Sequence, residues 1–412
     1  MRLLLRRSLS TAASASGRAF STAASRPPWA MIHNIGELVR SPALRASFQL
    51  AEPPCASHLR IPENLVDPRP RPDPNGDTMP HIWGRVRDAS GDGLLLLDFM
   101  DARATAPIVG KHGDDWACEF ACIDGNPDMT RFICNPLSGQ LFRLPDIDGI
   151  KKTVGYRHLG ILTQSERPNG PPDKYAVSWL LKVEGDFVTR RFLTQTGEWD
   201  KAMGLPSSLP RARRIDIDHE VVAFAGRLWW VDVSWGAISL DPFSDRPELR
   251  FVALPRGSVV EPVKGKWPLD LCRYRRLGVS EGRMRYAEPF VLSSFALEDD
   301  DSCWTLEHRV ALNRLGSWAD GCHPGQEKDT PCIGVIDPLN ANIMILTVGN
   351  HAISVDMDRG KVIGCSLIQG AAGPISPSFG FLTPCALPPW LGSSLIPSAG
   401  DRLSYVFFEL HV

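Results

Sequence analysis

From His81 to residue 410 the chain is a succession of short apolar runs, each stopped by Gly, Pro, Asn or Asp. GLLLLDF (93–99), WACEFAC (116–122), YAVSWLLKV (175–183), RLWWVDVSW (227–235) and NIMILTV (342–348) are examples. These runs are rich in β-branched and aromatic residues, which favour strands. About twenty of them follow residue 80, and no segment keeps a helical apolar period beyond about three turns. The sequence holds 35 Gly and 35 Pro. A chain interrupted this often cannot build long helices, so the fold is predicted to be all-β.

A local pattern recurs among the runs. Ile133-Cys134-Asn135-Pro136-Leu137-Ser138 precedes Phe142-Arg143-Leu144-Pro145, and Ser239-Leu240-Asp241-Pro242-Phe243-Ser244 precedes Phe251-Val252-Ala253-Leu254-Pro255. Val335-Ile336-Asp337-Pro338-Leu339-Asn340 reads as a third, partial copy. Asn or Asp bonds its own turn through the side chain, and Pro presets φ at the next position. Each unit therefore predicts two antiparallel strands joined at Asn/Asp-Pro. Twenty strands at this spacing make about five or six four-stranded sheets, which pack radially as a β-propeller or, alternatively, as a pair of large sandwiches. Closure of the ring is expected from LSYVFFEL (403–410) pairing with IWGRVR (82–87).

The repeat resembles the blades of plant F-box-associated propellers. Two further segments resemble a plant, grass-expanded domain-of-unknown-function family, the one numbered 1618. They are Gly226-Arg227-Leu228-Trp229-Trp230-Val231-Asp232-Val233-Ser234-Trp235-Gly236 and Tyr274-Arg275-Arg276-Leu277-Gly278-Val279-Ser280-Glu281-Gly282-Arg283-Met284-Arg285-Tyr286. The resemblance covers 226–360, and SGDGLLLLDF (90–99) resembles the same family's upstream part. It implies fold and kinship. It implies no activity, and no functional residue is carried over from it.

The N-terminal 26 residues are of another kind. Residues 1–26 carry Arg2, Arg6, Arg7, Arg18 and Arg26, contain no acidic residue, and are rich in Ser and Ala. That is transit-peptide composition, and Arg6-Arg7 interrupts the apolar run that a secretory signal needs. Arg18-Ala19-Phe20 before Ser21 fits a mitochondrial cleavage pattern. The expected address is the mitochondrion, with chloroplast or cytoplasm as alternatives. The expected organisation is a transit peptide at 1–26, a linker-like segment at 27–80 and a β-propeller-like domain at 81–412. Within the linker, Ser41-Pro42 could start a short helix to Ser47. Ile61-Pro62-Glu63-Asn64-Leu65-Val66 opens like an F-box, but Asp67-Pro68-Arg69-Pro70 stops the helices an F-box needs.

Net charge is −2, so no global basic field favours nucleic acid. No apolar run is long enough to span a bilayer. Ten cysteines are too sparse for a disulfide scaffold. With no Asn-x-Ser/Thr site, they fit a reducing compartment.

Motifs with chemical potential have simpler readings. Gly278-Val279-Ser280-Glu281-Gly282 matches G-x-S-x-G, but that chemistry needs a following helix, and RMRYAEPFVL reads as a strand. A hairpin turn is expected instead. Cys118 and Cys122 read as core residues of a strand, and Cys322-His323 with Cys332 is a weak metal set. Glu298-Asp299-Asp300-Asp301 lacks calcium-loop spacing and reads as a solvated turn. Arg211-Ala212-Arg213-Arg214 and Arg273-Tyr274-Arg275-Arg276 read as exposed strand or loop residues. Trp229 and Trp230 must face opposite sides of one strand: one inward, the other between sheets or at a surface.

No catalytic, cofactor-binding or metal-binding residue is therefore assigned, and no cofactor is expected. The leading expectation is a non-catalytic interaction module with a protein partner. The alternatives are an enzyme with a central-channel site and an organelle RNA-binding factor.

Overall fold

The computed structural model describes residues 26–66, 78–105, 108–112, 115–119, 128–149, 158–183, 186–203, 220–260, 271–289, 291–298, 303–312, 331–368 and 382–398. Among them the chain is all-β, as its apolar runs predict. The helical pieces are one short turn, Leu271–Tyr274, and two 3-10 turns, Glu63–Leu65 and Ile147–Gly149.

The N-terminal part builds the largest sheet. Its strands are β1 (Trp29–His33), β2 (Ile35–Val39), β3 (Ser47–Gln49), β4 (Ala56–Pro62), β5 (Thr78–Ala89) and β6 (Leu95–Thr105). After a separate ribbon of β7 (Ile108–His112) and β8 (Asp115–Glu119) come β9 (Asp128–Cys134) and β10 (Leu141–Arg143). The last strand, β27 (Leu382–Ala386), joins the same sheet. The order is β10-β9-β6-β5-β2-β4-β1-β27, with β3 beside β4.

Four sheets of four antiparallel strands in chain order follow. The second sheet holds β11 (Leu159–Gln164), β12 (Lys174–Val183), β13 (Asp186–Leu193) and β14 (Glu198–Met203). The third holds β15 (Glu220–Phe224), β16 (Arg227–Asp232), β17 (Gly236–Leu240) and β18 (Arg250–Ala253). The fourth holds β19 (Arg276–Ser280), β20 (Arg283–Glu288), β21 (Leu292–Leu297) and β22 (Trp304–Val310). The fifth holds β23 (Cys332–Ile336), β24 (Ile343–Val348), β25 (His351–Asp356) and β26 (Lys361–Leu367).

The described part of the segment expected to be linker-like is structural. Every residue of β1 is buried, because the strand pairs with β27 on one side and β4 on the other. Tertiary pairing overrides the loop-like composition of the segment. The helix expected from Ser41-Pro42 is absent. Ser41 Oγ accepts the N–H of Ala43 at 3.2 Å, closing a local turn instead. Ile61 and Pro62 end β4, and a single 3-10 turn follows. Residues 403–410, expected to close the ring, lie outside the described residues. IWGRVR (82–87) lies within β5, between β6 and β2.

The core lies between sheets. Trp230 shares a cluster with Leu162, Leu180 and Phe187 of the second sheet, whereas Trp229 shares one with Leu277, Met284 and Tyr286 of the fourth. Both indoles are buried, so neither lies at a surface. The alternation of a strand thus sends two adjacent tryptophans into two different interfaces. Ala287 and Leu292 meet Ile333 and Met344 between the fourth and fifth sheets. Val335 and Ile345 meet Trp29, Met31 and Leu382 between the fifth sheet and the closing strands.

One or two strands of each sheet also touch strands of the sheets beside it. β11 lies against β5 and β15, β19 against β15 and β23, and β27 against β23 and β5. Glycine permits the approach at Gly160, where a Cβ would stand 2.4 Å from Val221 Cγ1 of the next sheet.

The three Asn/Asp-Pro units form the expected side-chain-capped turns. Asn135 Oδ1 accepts the N–H groups of Leu137 and Ser138, Asp241 Oδ1 that of Phe243, and Asp337 Oδ1 those of Leu339 and Asn340. Their places differ, however. The first two turns join the last two strands of their sheets, β9 to β10 and β17 to β18. The third joins β23 to β24, the first two of its sheet, and so is no third copy. The equivalent hairpin of the fifth sheet is Asp356–Gly360, where Asp356 Oδ1 accepts the N–H of Arg359 at 2.9 Å.

Candidate functional site

Ser280 ends β19, Glu281 and Gly282 turn with positive φ, and Arg283 begins β20. The G-x-S-x-G motif is thus a hairpin, and Ser280 is fully buried. The Glu281 N–H donates to Pro338 O of the next sheet at 2.9 Å, so the turn ties two sheets together.

Cys118 lies on β8; Cys122, Cys322 and His323 lie outside the described residues, as do Asp299–Asp301 and Arg211–Arg214. Cys332 begins β23 and is half-buried. Among the described residues no three His, Cys, Asp or Glu side chains cluster closely enough to hold a metal ion.

The expectation that Arg275 and Arg276 are exposed is corrected. Arg275 is buried and donates to Val233 O at 2.9 Å and Ser258 O at 2.6 Å, across from the third sheet. Arg276 donates to Glu220 Oε1 at 3.0 Å. A charged side chain this enclosed persists because backbone carbonyls and a carboxylate replace its water.

Buried carboxylates of the largest sheet are likewise engaged. Asp88 Oδ2 on β5 accepts the Ile161 N–H of β11 at 2.8 Å, and its Oδ1 accepts the N–H of Ala89. Burial, with the Glu220 charge adding to it, pushes the Asp88 carboxyl up to about 7. Asp98 is the opposite case. Burial would raise it, but Arg87, Arg131 and Arg85 around it hold its carboxyl below the usual range. Each of these groups is engaged with the fold itself.

One constellation has no motif in the sequence. Ser294 on β21 faces His308 on β22 in register, and His308 Nε2 lies 3.1 Å from Asp358 Oδ1 in the β25–β26 turn. The order of groups is that of a hydrolase triad, but Ser294 is fully buried, so no substrate reaches its hydroxyl. The His308–Asp358 pair links the fourth and fifth sheets.

A concave patch forms where the Asn135–Gly139 turn meets the C-terminal segment. Arg45, Ser138, Gln140, Gly392, Ser393, Ser394 and Leu395 line a cavity of about 230 Å³. Asn135 is fully buried beneath it and donates to Leu391 O at 2.7 Å and Ser394 O at 3.1 Å. Gln140 Oε1 accepts the Ile396 N–H at 2.8 Å. No signal in the sequence pointed here, because the patch joins residues more than 250 positions apart.

No curated protein matches the chain. Among solved structures, apo AztD from Citrobacter koseri is similar at 10% identity over 73% of each chain, with a TM-score of 0.29. A functionally unknown protein from Desulfotomaculum acetoxidans DSM 771 is similar at 12% identity over 75% of this chain and 88% of that one, with a TM-score of 0.31. Likeness at this level carries no functional conclusion. Residues 230–344, from the second strand of the third sheet to the second strand of the fifth, match the family described as protein of unknown function (DUF1618).

Proposed function

We propose that the chain is a β-propeller-like, non-catalytic module that binds a protein partner inside an organelle. The observation that carries the propeller reading is the cyclic contact of six strands: β5, β11, β15, β19, β23 and β27 each touch two others of the set. Four sheets behind these strands have four strands in chain order. β5-β6-β9-β10 supplies a fifth blade, and β27-β1-β4-β3 a sixth that combines both ends of the described chain. Radial closure of this kind protects sheet edges and leaves loops on two faces, where partners bind. The hairpins capped by Asn135 and Asp241 fit kinship with F-box-associated propellers.

The binding reading is supported by where the polar groups go. Asp88, Glu220 and Arg275 are bonded within the fold, while the loop patch around Arg45 faces solvent. The test is chemical crosslinking and capture of the full chain in its own organelle. A reproducible partner is expected; recovery at background level from crosslinked organelles would overturn the reading.

The organelle is proposed to be the mitochondrion, on the composition of residues 1–26. Arg26 itself belongs with the fold, donating to Pro388 O at 2.8 Å. A cut before Ser21 keeps this clasp. A fluorescent reporter fused to residues 1–40 should enter mitochondria; a cytosolic or plastid signal would sink the assignment.

A further inference from the structure

We infer that the cavity beside Arg45 docks a peptide segment of the partner in which a carboxylate adjoins an apolar side chain. This rests on the interaction reading above and names the site and chemistry for it.

Among the described residues the cavity has a cation and no anion. Of its seven lining residues only Arg45 is charged. Arg45 Nη1 donates to Ser138 O at 3.1 Å, and among the described residues no carboxylate pairs with the guanidinium. Its remaining N–H groups are available to a ligand. Gln140 adds its amide NH₂, since its Oε1 is occupied by Ile396. The serines contribute less than their number suggests. Ser393 Oγ donates to Trp390 O at 3.0 Å and Ser394 Oγ to Leu391 O at 3.2 Å. Ser138 Oγ accepts the Gln140 N–H at 3.3 Å and keeps its own proton to donate, so the remaining side-chain donors are a guanidinium, one amide and one hydroxyl, and the planar guanidinium suits a carboxylate.

The surroundings supply the apolar half. Leu395 lines the cavity and is 68% exposed; Leu44, next to Arg45, is 76% exposed. These are the two most exposed large apolar side chains among the described residues. A volume near 230 Å³ holds one side chain, not a nucleotide or extended cofactor.

The walls are fixed in advance. Ala46 N–H donates to Gly139 O at 2.9 Å, tying the Arg45 segment to the turn. Asn135 ties the turn to the C-terminal segment from below. A site built from three tethered segments loses little freedom when occupied.

The experiment is fluorescence anisotropy with the full chain and labelled Gly/Ser octapeptides of four kinds: an internal Glu-Leu, an internal Gln-Leu, a C-terminal Leu with free carboxylate, and an internal phosphoserine-Leu. Binding is expected for a carboxylate peptide, with internal Glu-Leu against C-terminal Leu deciding the source of the carboxylate. Arg45→Glu and Leu395→Asp, with unchanged melting temperatures, should each weaken it about tenfold or more. Equal binding of the Gln-Leu peptide, preference for phosphoserine, no binding to any peptide, or indifference to Arg45→Glu overturns the proposal. A crosslinked partner that Arg45→Glu still captures would refute this site alone, whereas capture at background would refute the interaction reading itself.

Discussion

The carboxylate of Asp88 on β5 accepts the backbone N–H of Ile161 on β11 at 2.8 Å, so a side chain satisfies the open edge of a neighbouring sheet. An edge strand presents unpaired N–H groups, and a buried one must find acceptors. Glu220 stands in the same relation between the third and fourth sheets, where its Oε2 lies 3.4 Å from the Leu277 nitrogen.

Stability should carry the signature of Asp88. Its carboxyl is raised from 3.8 to about 7 in the fold. The folded chain therefore holds that proton more tightly than the unfolded chain does. This contribution is complete below about pH 4 and is lost as pH rises through 7. Asp88→Asn cannot titrate. Wild-type stability relative to the variant is expected to fall by about 2 kcal/mol between pH 5 and pH 7.5, measured by urea unfolding. Parallel profiles would show that Asp88 titrates normally.

His33 should act in the opposite sense. Burial, with His58 stacked at 5.5 Å between ring centroids, lowers its pKa below 6.5. Glu37 and Arg60 act on His58 with opposite signs. A histidine held neutral in the fold stabilises fully above its unfolded pKa and loses that contribution as pH falls below 6.5. His33→Asn is expected to flatten the loss of melting temperature between pH 7 and pH 5. An unchanged slope would assign the acid sensitivity to other groups.

Truncating either tryptophan of the pair should be costly. Trp229→Ala and Trp230→Ala each open a void in a different interface, at about 3–5 kcal/mol. Trp230 also donates to His158 O at 3.0 Å. The two losses should add, because the cavities lie on opposite faces of one sheet. Double-mutant unfolding measures this, and strong non-additivity would mean that the two interfaces relax together.

Asn135→Ala removes the turn cap and both bonds to the C-terminal segment, whereas Asp241→Ala removes only a cap bond. Limited proteolysis should therefore cut near residues 387–398 in the first variant and not in the second. Equal protection in both would show that Asn135 is not what fastens the segment.

Much of this was legible in the sequence, for local reasons. Period-two apolar runs and Gly/Pro stops announce antiparallel sheets, and G-x-S-x-G before a strand-like run announces a hairpin. Residues 27–66 were not legible, because their strands are short and depend on partners far along the chain. β1 pairs with a strand more than 340 residues away. The burial of Arg275 was hidden for the same reason: its acceptors are Val233 and Ser258, not its neighbours. The Arg45 patch left no trace in any contiguous run.

The pairing of β1 with β27 also constrains timing. A chain delivered end first, from a ribosome or through a translocation pore, presents its opening strand long before the strand that completes it. Trp29, Met31 and Ile32, all buried in the finished molecule, must wait for residues 382–386. During that interval the apolar opening strand and the edge awaiting it are both uncovered, which is the condition under which strands pair with the wrong chain. A molecule built this way is most open to mispairing while it is being made.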